Sequence, residues 1–276
     1  MIRLIERCLD SLDSELVLLA PRQAGVPGVF ENVAEDTDRH QHFLSEMQRL
    51  RGSIYIHEGN IKREQLTADG RHEMTEDSRC WHLLMTDNGE RVRSCAMYID
   101  YGSNPSFDDL RARHCPLVKS PEWGGLLRRA VDLELARAER SGLRFAELGG
   151  WAIEKQRRGT PEGLMMALAT YGLSRVVGGS LGMTTANVAH SCSAILRRLG
   201  GSFFEVDGTQ IPTYFDHRYN TEIDLLRFDS RRPNPKFEAL IENARRRLGK
   251  VLVVAHTATE AAVDLYRPAQ AIHATF

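Results

Sequence analysis

The stretch ELGGWAIEKQRRGTPEG, residues 147–163, decides how this chain is expected to fold. Its first half is apolar and predicts a strand, and its second half carries Arg157, Arg158 and Gly159 in a turn that opens a helix. Backbone N–H groups at the start of a helix bind anions, and neighbouring arginines strengthen such a site. The pattern therefore indicates a site for a pyrophosphate or a phosphodiester. The same pattern is also typical of an ordinary strand–helix connection with a solvated basic tip.

Strand and helix signals alternate on both sides of this stretch. Upstream, strand-like runs at 81–86 and 91–99 flank an Asn-Gly pair at 88–89, which is the signature of a type I′ hairpin turn. An amphipathic helix follows, with Ser120 as its N-cap and Gly142 at its end. The later segments are predicted as strand 143–153, helix 160–178, strand 181–186, helix 189–199, strand 221–228, helix 236–248 and strand 250–255.

The N-terminal part gives weaker signals. Its first forty residues predict a helix and a loose arm, because they end in an acidic, turn-rich run at 31–38. Helical spacing at 42–50 leads into a short predicted strand at 53–57. The element order predicts an α/β (α+β) chain with a mixed sheet, without the strict alternation of a doubly wound fold. We divide the chain into an N-terminal helix and arm (1–38), a main domain (39–230) and a C-terminal helical extension (231–276).

Composition excludes several classes of protein. The 276 residues include 36 Lys and Arg against 37 Asp and Glu, for a net charge of −1, and 42% are hydrophobic. Such a chain is too apolar to be disordered, and its balanced charge argues against nucleic acid as a partner. Five scattered cysteines without C-x-x-C spacing are typical of reduced thiols, and ten histidines show no metal-ligand spacing. We expect a cytoplasmic protein without a signal peptide, membrane span or metal.

The 147–163 stretch resembles the acyl-donor motif of the GNAT (Gcn5-related N-acetyltransferase) superfamily. That motif has a turn of the form Gln/Arg-x-x-Gly-x-Gly/Ala, and Gln156, Gly159 and Pro161 take those places here. The run ILRRLGG at 195–201 resembles the end of the second family motif, with Leu196 where most members carry a tyrosine. This resemblance implies a mixed, mostly antiparallel sheet flanked by helices and splayed at the acyl-donor site.

A narrower resemblance covers roughly residues 40–230. The run GSIYIHEG at 52–59, the acidic segment 73–77 and the hairpin strand after it are similar to the acyl-homoserine-lactone synthases and the long-chain N-acyl amino acid synthases. Their motif-strand glutamate corresponds to Glu147, with Gly149 and Gly150 in place of the following Ser and Arg. The arginine of the lactone synthases' second hairpin strand is also missing, with Met97 nearby. These losses favour the amino acid synthases over enzymes that use S-adenosylmethionine.

The resemblance implies an N-acyltransferase without a permanently bound cofactor, using acyl-ACP (acyl carrier protein) or acyl-CoA as cosubstrate and a small amine as acceptor. Glu147 is the expected base, and Asp69, Glu73 and Asp77 are alternatives that would bind the acceptor's ammonium. The expected donor-binding residues are Trp151, Ala152, Ile153, Arg157, Arg158, Gly159, Thr160 and Gly163. Each carboxylate also has an ordinary interpretation, as an ion-pair partner or part of a solvated loop.

Two other functions stay open from the sequence. One is a GNAT-like domain that binds acyl-thioesters or lipids as a sensor without catalysis, and the other is an acyl-homoserine-lactone synthase. A cluster of basic residues near the C-terminus suggests an acidic partner such as acyl carrier protein, although a solvated helix face explains it equally well. Its members are Arg227, Arg231, Arg232, Lys236, Arg245, Arg246 and Arg247.

Overall fold

A large twisted sheet organises the chain. The computed structural model describes residues 9, 12–22 and 24–257, and within them a ten-stranded sheet runs in the order β10-β11-β6-β5-β4-β3-β1-β12-β2, with β7 paired to β11. The strands are β1 (Leu16–Leu19), β2 (Val33–Glu35), β3 (Trp81–Asp87), β4 (Arg91–Asp100), β5 (Arg144–Ile153), β6 (Ser180–Asn187), β7 (Ser202–Phe203), β8 (Glu205–Val206), β9 (Thr209–Gln210), β10 (Tyr214–Asp216), β11 (Thr221–Asp229) and β12 (Leu252–Ala255). The described α-helices are α1 (Leu12–Glu15), α2 (Thr37–His57), α3 (Gly124–Arg140), α4 (Glu162–Val176), α5 (Cys192–Leu199) and α6 (Glu238–Leu248).

Most neighbouring strands in the sheet are antiparallel. The exceptions are the pairs β5–β6, β1–β12 and β12–β2, which are parallel. Helices α4 and α6 pack together on one face, while α2 and α3 lie on the other and cover different halves of the sheet. This mixed, mostly antiparallel sheet flanked by helices confirms the predicted fold class.

The central hairpin forms as its turn sequence predicts. Asn88 and Gly89 both have positive φ angles, 55° and 74°, and the main-chain N–H of Glu90 donates to the carbonyl of Asp87 at 3.2 Å. Two consecutive residues with positive φ match the right-handed twist of the flanking strands, which makes Asn-Gly the favoured pair here. The hairpin prediction is confirmed.

The predicted helix cap at residue 120 is displaced from the helix. The hydroxyl of Ser120 accepts a hydrogen bond from the main-chain N–H of Trp123 at 3.2 Å, whereas α3 begins at Gly124. Ser120 therefore caps a turn that precedes the helix.

Two N-terminal predictions were wrong. Leu16–Leu19, expected to belong to a helix and loose arm, form β1, which is fully buried between β3 and β12. Residues 53–57, expected to be a strand, continue α2 to His57, with Ile54 on its buried face. In both places the tertiary environment overrides the local signal, because an apolar run of four can fill a central strand and β-branched residues are tolerated on a packed helix. The predicted helix before residue 12 lies largely outside the described residues.

The sheet opens between β5 and β6. Their parallel register runs from Arg144 opposite Ser180 to Leu148 opposite Thr184, and the remainder of β5 pairs with β4 alone. Where the strands are still joined they approach closely, since a Cβ on Gly182 would lie 2.3 Å from the carbonyl oxygen of Ala146. The predicted splay is therefore present at the carboxyl end of these two strands.

Candidate functional site

A cavity of about 450 Å³ lies where β5 and β6 diverge. It is bounded by the free end of β5, the turn before α4, the first residues of α5 and the carboxyl end of α2. Every residue predicted to bind the donor lines this larger cavity, namely Trp151, Ala152, Ile153, Arg157, Arg158, Gly159, Thr160 and Gly163. The tertiary structure thus brings the whole predicted set to one opening.

The strand that borders this larger cavity contains a β-bulge. On β4 a single residue separates Cys95 from Met97, whereas on β5 two residues separate their partners Ala152 and Gly149. Gly150 lies in the bulge with a φ of 61°, and a Cβ there would be 3.0 Å from the Cβ of Met97. A bulge leaves backbone groups outside the ladder. Together with the missing β6 partner, it gives β5 backbone groups that can pair with an extended ligand.

The two arginines of the turn are held by carboxylates. Arg157 pairs with Asp87, with 3.2 Å between its Nη2 and the Oδ1 atom, and Arg158 pairs with Glu58. Both arginines and Glu58 line the larger cavity. The turn therefore presents two guanidinium groups to a ligand, each of them already paired with a carboxylate of the protein.

A second cavity, of about 280 Å³, adjoins the first and is lined largely by polar residues. Its walls carry the acidic side chains of Glu73, Glu76, Glu147 and Asp216 and the basic side chains of Arg111 and Arg218, and Arg218 pairs with Asp216 at 2.6 Å. The two cavities share the residues Met74, Arg111, Thr184, Thr185, Tyr219 and Ile223. A ligand in the smaller cavity is thus within reach of a ligand that enters through the larger one.

Glu147 lies in the wall of the smaller cavity with both carboxylate oxygens hydrogen-bonded. Its Oε2 accepts from the Tyr101 hydroxyl at 2.6 Å and from the main-chain N–H of Arg111 at 2.9 Å, and its Oε1 accepts from that of Ala112 at 3.0 Å. Burial and the Glu147 charge together raise the pKa of Tyr101, which keeps that hydroxyl a donor. The geometry suits Glu147 to hold residues 111–112 in place as well as to act on a ligand.

The three alternative carboxylates are separated by the fold. Glu73 lines the smaller cavity, while Asp69 and Asp77 line neither cavity. Asp69 is exposed, and hydrogen bonds from Thr67 and Arg71 lower its pKa. Glu73 is also half-exposed and pairs with Arg71 at 2.8 Å.

Asp77 is buried in an ion pair beneath the site. Its two oxygens accept from the guanidinium of Arg51, which is fully buried, at 3.0 and 2.7 Å. Burial acts to raise the pKa of Asp77, but the adjacent guanidinium outweighs it and holds that pKa below its ordinary value. Arg51 also donates to the carbonyl oxygen of His72, and Asp77 accepts from the N–H of Met74. The Arg51–Asp77 pair shapes the 72–77 segment, and the ammonium-binding role of Asp77 stays a prediction.

Sequence reasoning missed three residues that the structure places at the centre of the site: Glu76, Arg111 and Tyr219. Glu76 is 14% exposed, and the nearest guanidinium atoms of Arg111 and Arg79 lie 3.7 and 3.9 Å away. The Arg111 guanidinium covers Gly149, where a Cβ would lie 3.1 Å from its Nη1. Glu76 and Tyr219 lie in turns and Arg111 begins a short 3₁₀ helix (Arg111–His114), and segments this short have no periodicity that marks a residue as facing a site. The two glycines after Leu148 were the available signal, because they make room for another side chain.

The C-terminal basic residues lie away from the cavities. Helix α6 packs against the distal half of α4, where a Cβ on Gly172 would be 3.0 Å from the main-chain nitrogen of Arg245. Gly172 is ten residues beyond Glu162, which is about 15 Å along a helix. Several members of the cluster are also paired, including Arg227 with Glu134 at 2.5 Å. Docking of a carrier protein on this cluster stays a prediction.

The part of the chain that the structure describes contains neither a cluster of metal-ligand side chains nor a helix suited to span a membrane. No group of three or more His, Cys, Asp and Glu side chains converges there as metal ligands do. None of the helices in the described ranges combines the length and the apolar character needed to span a bilayer.

No known protein family matches the sequence, and no curated protein matches it either. Solved structures do match. The CoA-dependent acyl-homoserine lactone synthase BjaI, bound to SAM and isopentyl-CoA, gives a TM-score of 0.53 at 13% identity, covering 90% of this chain and 96% of that one. The same synthase with MTA gives 0.52 at 13% identity, with the same coverage. FeeM, an N-acyl amino acid synthase from uncultured soil microbes, gives 0.45 at 13% identity over 67% of this chain and 83% of that one.

The BjaI comparisons show a shared fold. The chain has the GNAT-like fold that its motifs predicted, and the splayed β5–β6 edge with its adjoining cavities lies within it.

Proposed function

We propose that this protein is an acyltransferase that moves a fatty acyl group from a carrier-protein or coenzyme A thioester to the amine of an amino acid or similar small acceptor. The observation that supports this most is the meeting of two unlike cavities at Arg111 and Tyr219. The larger cavity borders β5, the turn before α4, and α5. The smaller cavity carries both acidic and basic side chains in its walls. A bisubstrate transfer needs two such compartments with a common wall.

The larger cavity suits the donor. The pantetheine arm is extended and rich in amides, so it can add to the unpaired edge of β5 along Trp151, Ala152 and Ile153 as another strand would. Its phosphate then lies by the Arg157–Gly159 turn. The apolar side chains of Ile195 and Leu196 line the same cavity and offer a wall for an acyl chain.

The smaller cavity suits an acceptor with both an ammonium and a carboxylate. Glu73 and Glu76 supply negative charge for the ammonium, and Arg111 supplies a guanidinium for the carboxylate, while Arg218 is already paired with Asp216. An amino acid carries these two charges on adjacent atoms. A simple alkylamine would offer no carboxylate to the Arg111 guanidinium, which lies 3.7 Å from the Glu76 carboxylate.

The chemistry requires three proton and charge movements. The acceptor ammonium gives a proton to a carboxylate, for which Glu147 and Glu76 are the two candidates in this cavity. The free amine attacks the thioester carbonyl, whose oxygen gains negative charge and accepts a hydrogen bond from a backbone N–H of the Gly150 bulge. The nitrogen gives up a second proton as the C–S bond breaks, which leaves the neutral amide, and the departing thiolate takes up a proton, so that the proton from nitrogen replaces the one given to sulfur. Tyr219, which lines both cavities, can supply that proton.

The experiment is a survey of turnover with the purified full chain. Octanoyl-CoA and octanoyl-carrier protein are each incubated with a panel of amino acids, free thiol is followed colorimetrically, and N-octanoyl products are identified by mass spectrometry. We expect acceptor-dependent thiol release and an N-acyl amino acid.

The outcomes separate the alternatives. Tight thioester binding in calorimetry without turnover would indicate a sensor, and release of methylthioadenosine from S-adenosylmethionine would indicate a lactone synthase. Either result would overturn the proposal. The cytoplasmic setting remains an expectation drawn from the sequence.

A further inference from the structure

The basic turn at the mouth of the larger cavity is neutralised by carboxylates of the protein itself. Arg158, 27% exposed in its side chain, pairs with Glu58, which is only 12% exposed. Glu58 is the residue directly after α2, so this pair joins the end of α2 to the turn before α4 across the cavity that both residues line. The other arginine of the turn, Arg157, pairs with Asp87.

Charges around the turn are balanced in the same way. Arg91 pairs with both Asp87 and Glu154, and Arg93 also pairs with Asp87, so each of these guanidinium groups has a carboxylate partner. Burial acts against the charged form of Asp87, but the neighbouring arginines hold its pKa below the ordinary value. Glu162, in the first turn of α4, pairs with Arg93 at 3.1 Å, so the four arginines near the turn face the four carboxylates of Glu58, Asp87, Glu154 and Glu162.

Donor phosphates therefore meet little uncompensated positive charge. Coenzyme A carries a diphosphate and a 3′-phosphate, and the latter alone contributes about −1.5 to −2 at neutral pH. The arm of a carrier protein carries a phosphodiester, with roughly one negative charge. Each additional negative charge is repelled by the Glu58 carboxylate and competes with it for Arg158.

We propose that the donor is a phosphopantetheine thioester linked through a phosphodiester, as on a carrier protein, and that Glu58 determines this preference over coenzyme A. The inference rests on the proposed acyltransferase function. It is independent of where a carrier protein docks, because it concerns the phosphate groups of the arm and not the carrier's surface.

The test compares two small donors that share the thioester. These are the octanoyl thioesters of coenzyme A and of phosphopantetheine methyl phosphodiester, assayed with wild type, Glu58→Gln and Glu64→Gln. Glu64 is exposed, lies in a short 3₁₀ turn and does not line the larger cavity. Glu64→Gln thus removes the same charge close by in sequence without freeing Arg158.

We expect wild type to use the phosphodiester with a kcat/KM at least tenfold above that for the coenzyme A thioester. Glu58→Gln should narrow that ratio at least fivefold, while Glu64→Gln leaves it unchanged. A wild-type preference for coenzyme A, or equal shifts in the two variants, would overturn the inference. If neither thioester is consumed, the proposed function fails, and the calorimetric affinities of the same two thioesters still measure the discrimination.

Discussion

Replacing Glu147 by glutamine tests whether this buried carboxylate supports the site or takes the proton. The carboxylate accepts three hydrogen bonds, two of them from main-chain N–H groups. Glutamine has one carbonyl oxygen, so its amide NH₂ must face at least one of those donors. A hydrogen bond to a charged group contributes about 1.5–3 kcal/mol, and a buried donor left without an acceptor costs a comparable amount.

This loss predicts a measurable fall in stability. For chains of this size about 1 kcal/mol corresponds to roughly 2–4 °C in Tm, so we expect Glu147→Gln to melt roughly 3–12 °C below wild type. The matched control is Glu76→Gln, which removes a carboxylate from the same cavity. The ion pairs of Glu76 are long, 3.7 and 3.9 Å, and such contacts contribute about 0–1 kcal/mol. The control should therefore melt close to wild type.

Turnover measured well below both melting temperatures then assigns the base. Removing a general base costs about 10²–10⁴-fold. Both carboxylate oxygens of Glu147 are already held by hydrogen bonds from the protein, whereas the ion pairs of Glu76 are long. We therefore expect the larger loss of turnover, at least ~100-fold at pH 7, in Glu76→Gln, and we expect this loss to narrow at high pH, where the acceptor amine is already free. An unchanged Tm for Glu147→Gln would refute the hydrogen-bond reasoning. A 100-fold loss of turnover in Glu147→Gln alone would instead identify Glu147, the residue that the sequence motif indicates, as the base.

Three further predictions address the donor turn, pH and packing. The double variant Arg157→Gln/Arg158→Gln should bind an acyl-phosphopantetheine donor roughly tenfold more weakly in calorimetry, since it lacks the two guanidinium groups of the proposed phosphate site. An unchanged affinity would show that these arginines do not bind the phosphate. Burial lowers the pKa of His40 to about 4, so the unfolded chain takes up a proton between about pH 6.5 and 4 that the folded chain does not. The contribution of His40 to the free energy of unfolding is therefore fully present above pH 6.5 and is lost as the pH falls toward 4, by about 3 kcal/mol. His40→Gln should make the decrease of Tm with falling pH shallower. A pH profile of Tm equal to that of wild type would contradict this. Gly182→Ala should lower the free energy of unfolding in urea by roughly 1–3 kcal/mol or more, because its Cβ would meet a carbonyl oxygen at 2.3 Å. The control Gly125→Ala, in open space on a helix, should leave stability unchanged or raise it. Equal urea midpoints for the two variants would disprove the packing argument.

Local chemistry alone was enough to predict the hairpin and the basic turn before α4. An Asn-Gly pair has few backbone alternatives between two apolar strands, and a basic, glycine-containing turn that opens a helix has a defined affinity for phosphate. These are short-range properties, carried by neighbouring residues. For the same reason the eight residues predicted to bind the donor, contiguous or nearly so in sequence, all lie along one cavity in the structure.

The smaller cavity could be recognised only in the tertiary structure, because its residues come from distant parts of the chain. Glu76 and Arg111 lie 35 positions apart in irregular segments, and the contact between them exists only because β5 and the buried Arg51–Asp77 pair place those segments together. Sequence placed Asp77 and Glu76 in one acidic segment but did not indicate which of them is buried beneath the site and which faces into it. The same limit applied to Leu16–Leu19, whose place in the middle of the sheet is set by pairing with β12 more than 230 residues later. The sequence by itself determined the features that neighbouring residues encode. Which distant charged residues line the same cavity was decided by the tertiary structure alone, because burial and pairing depend on contacts between segments far apart in the chain.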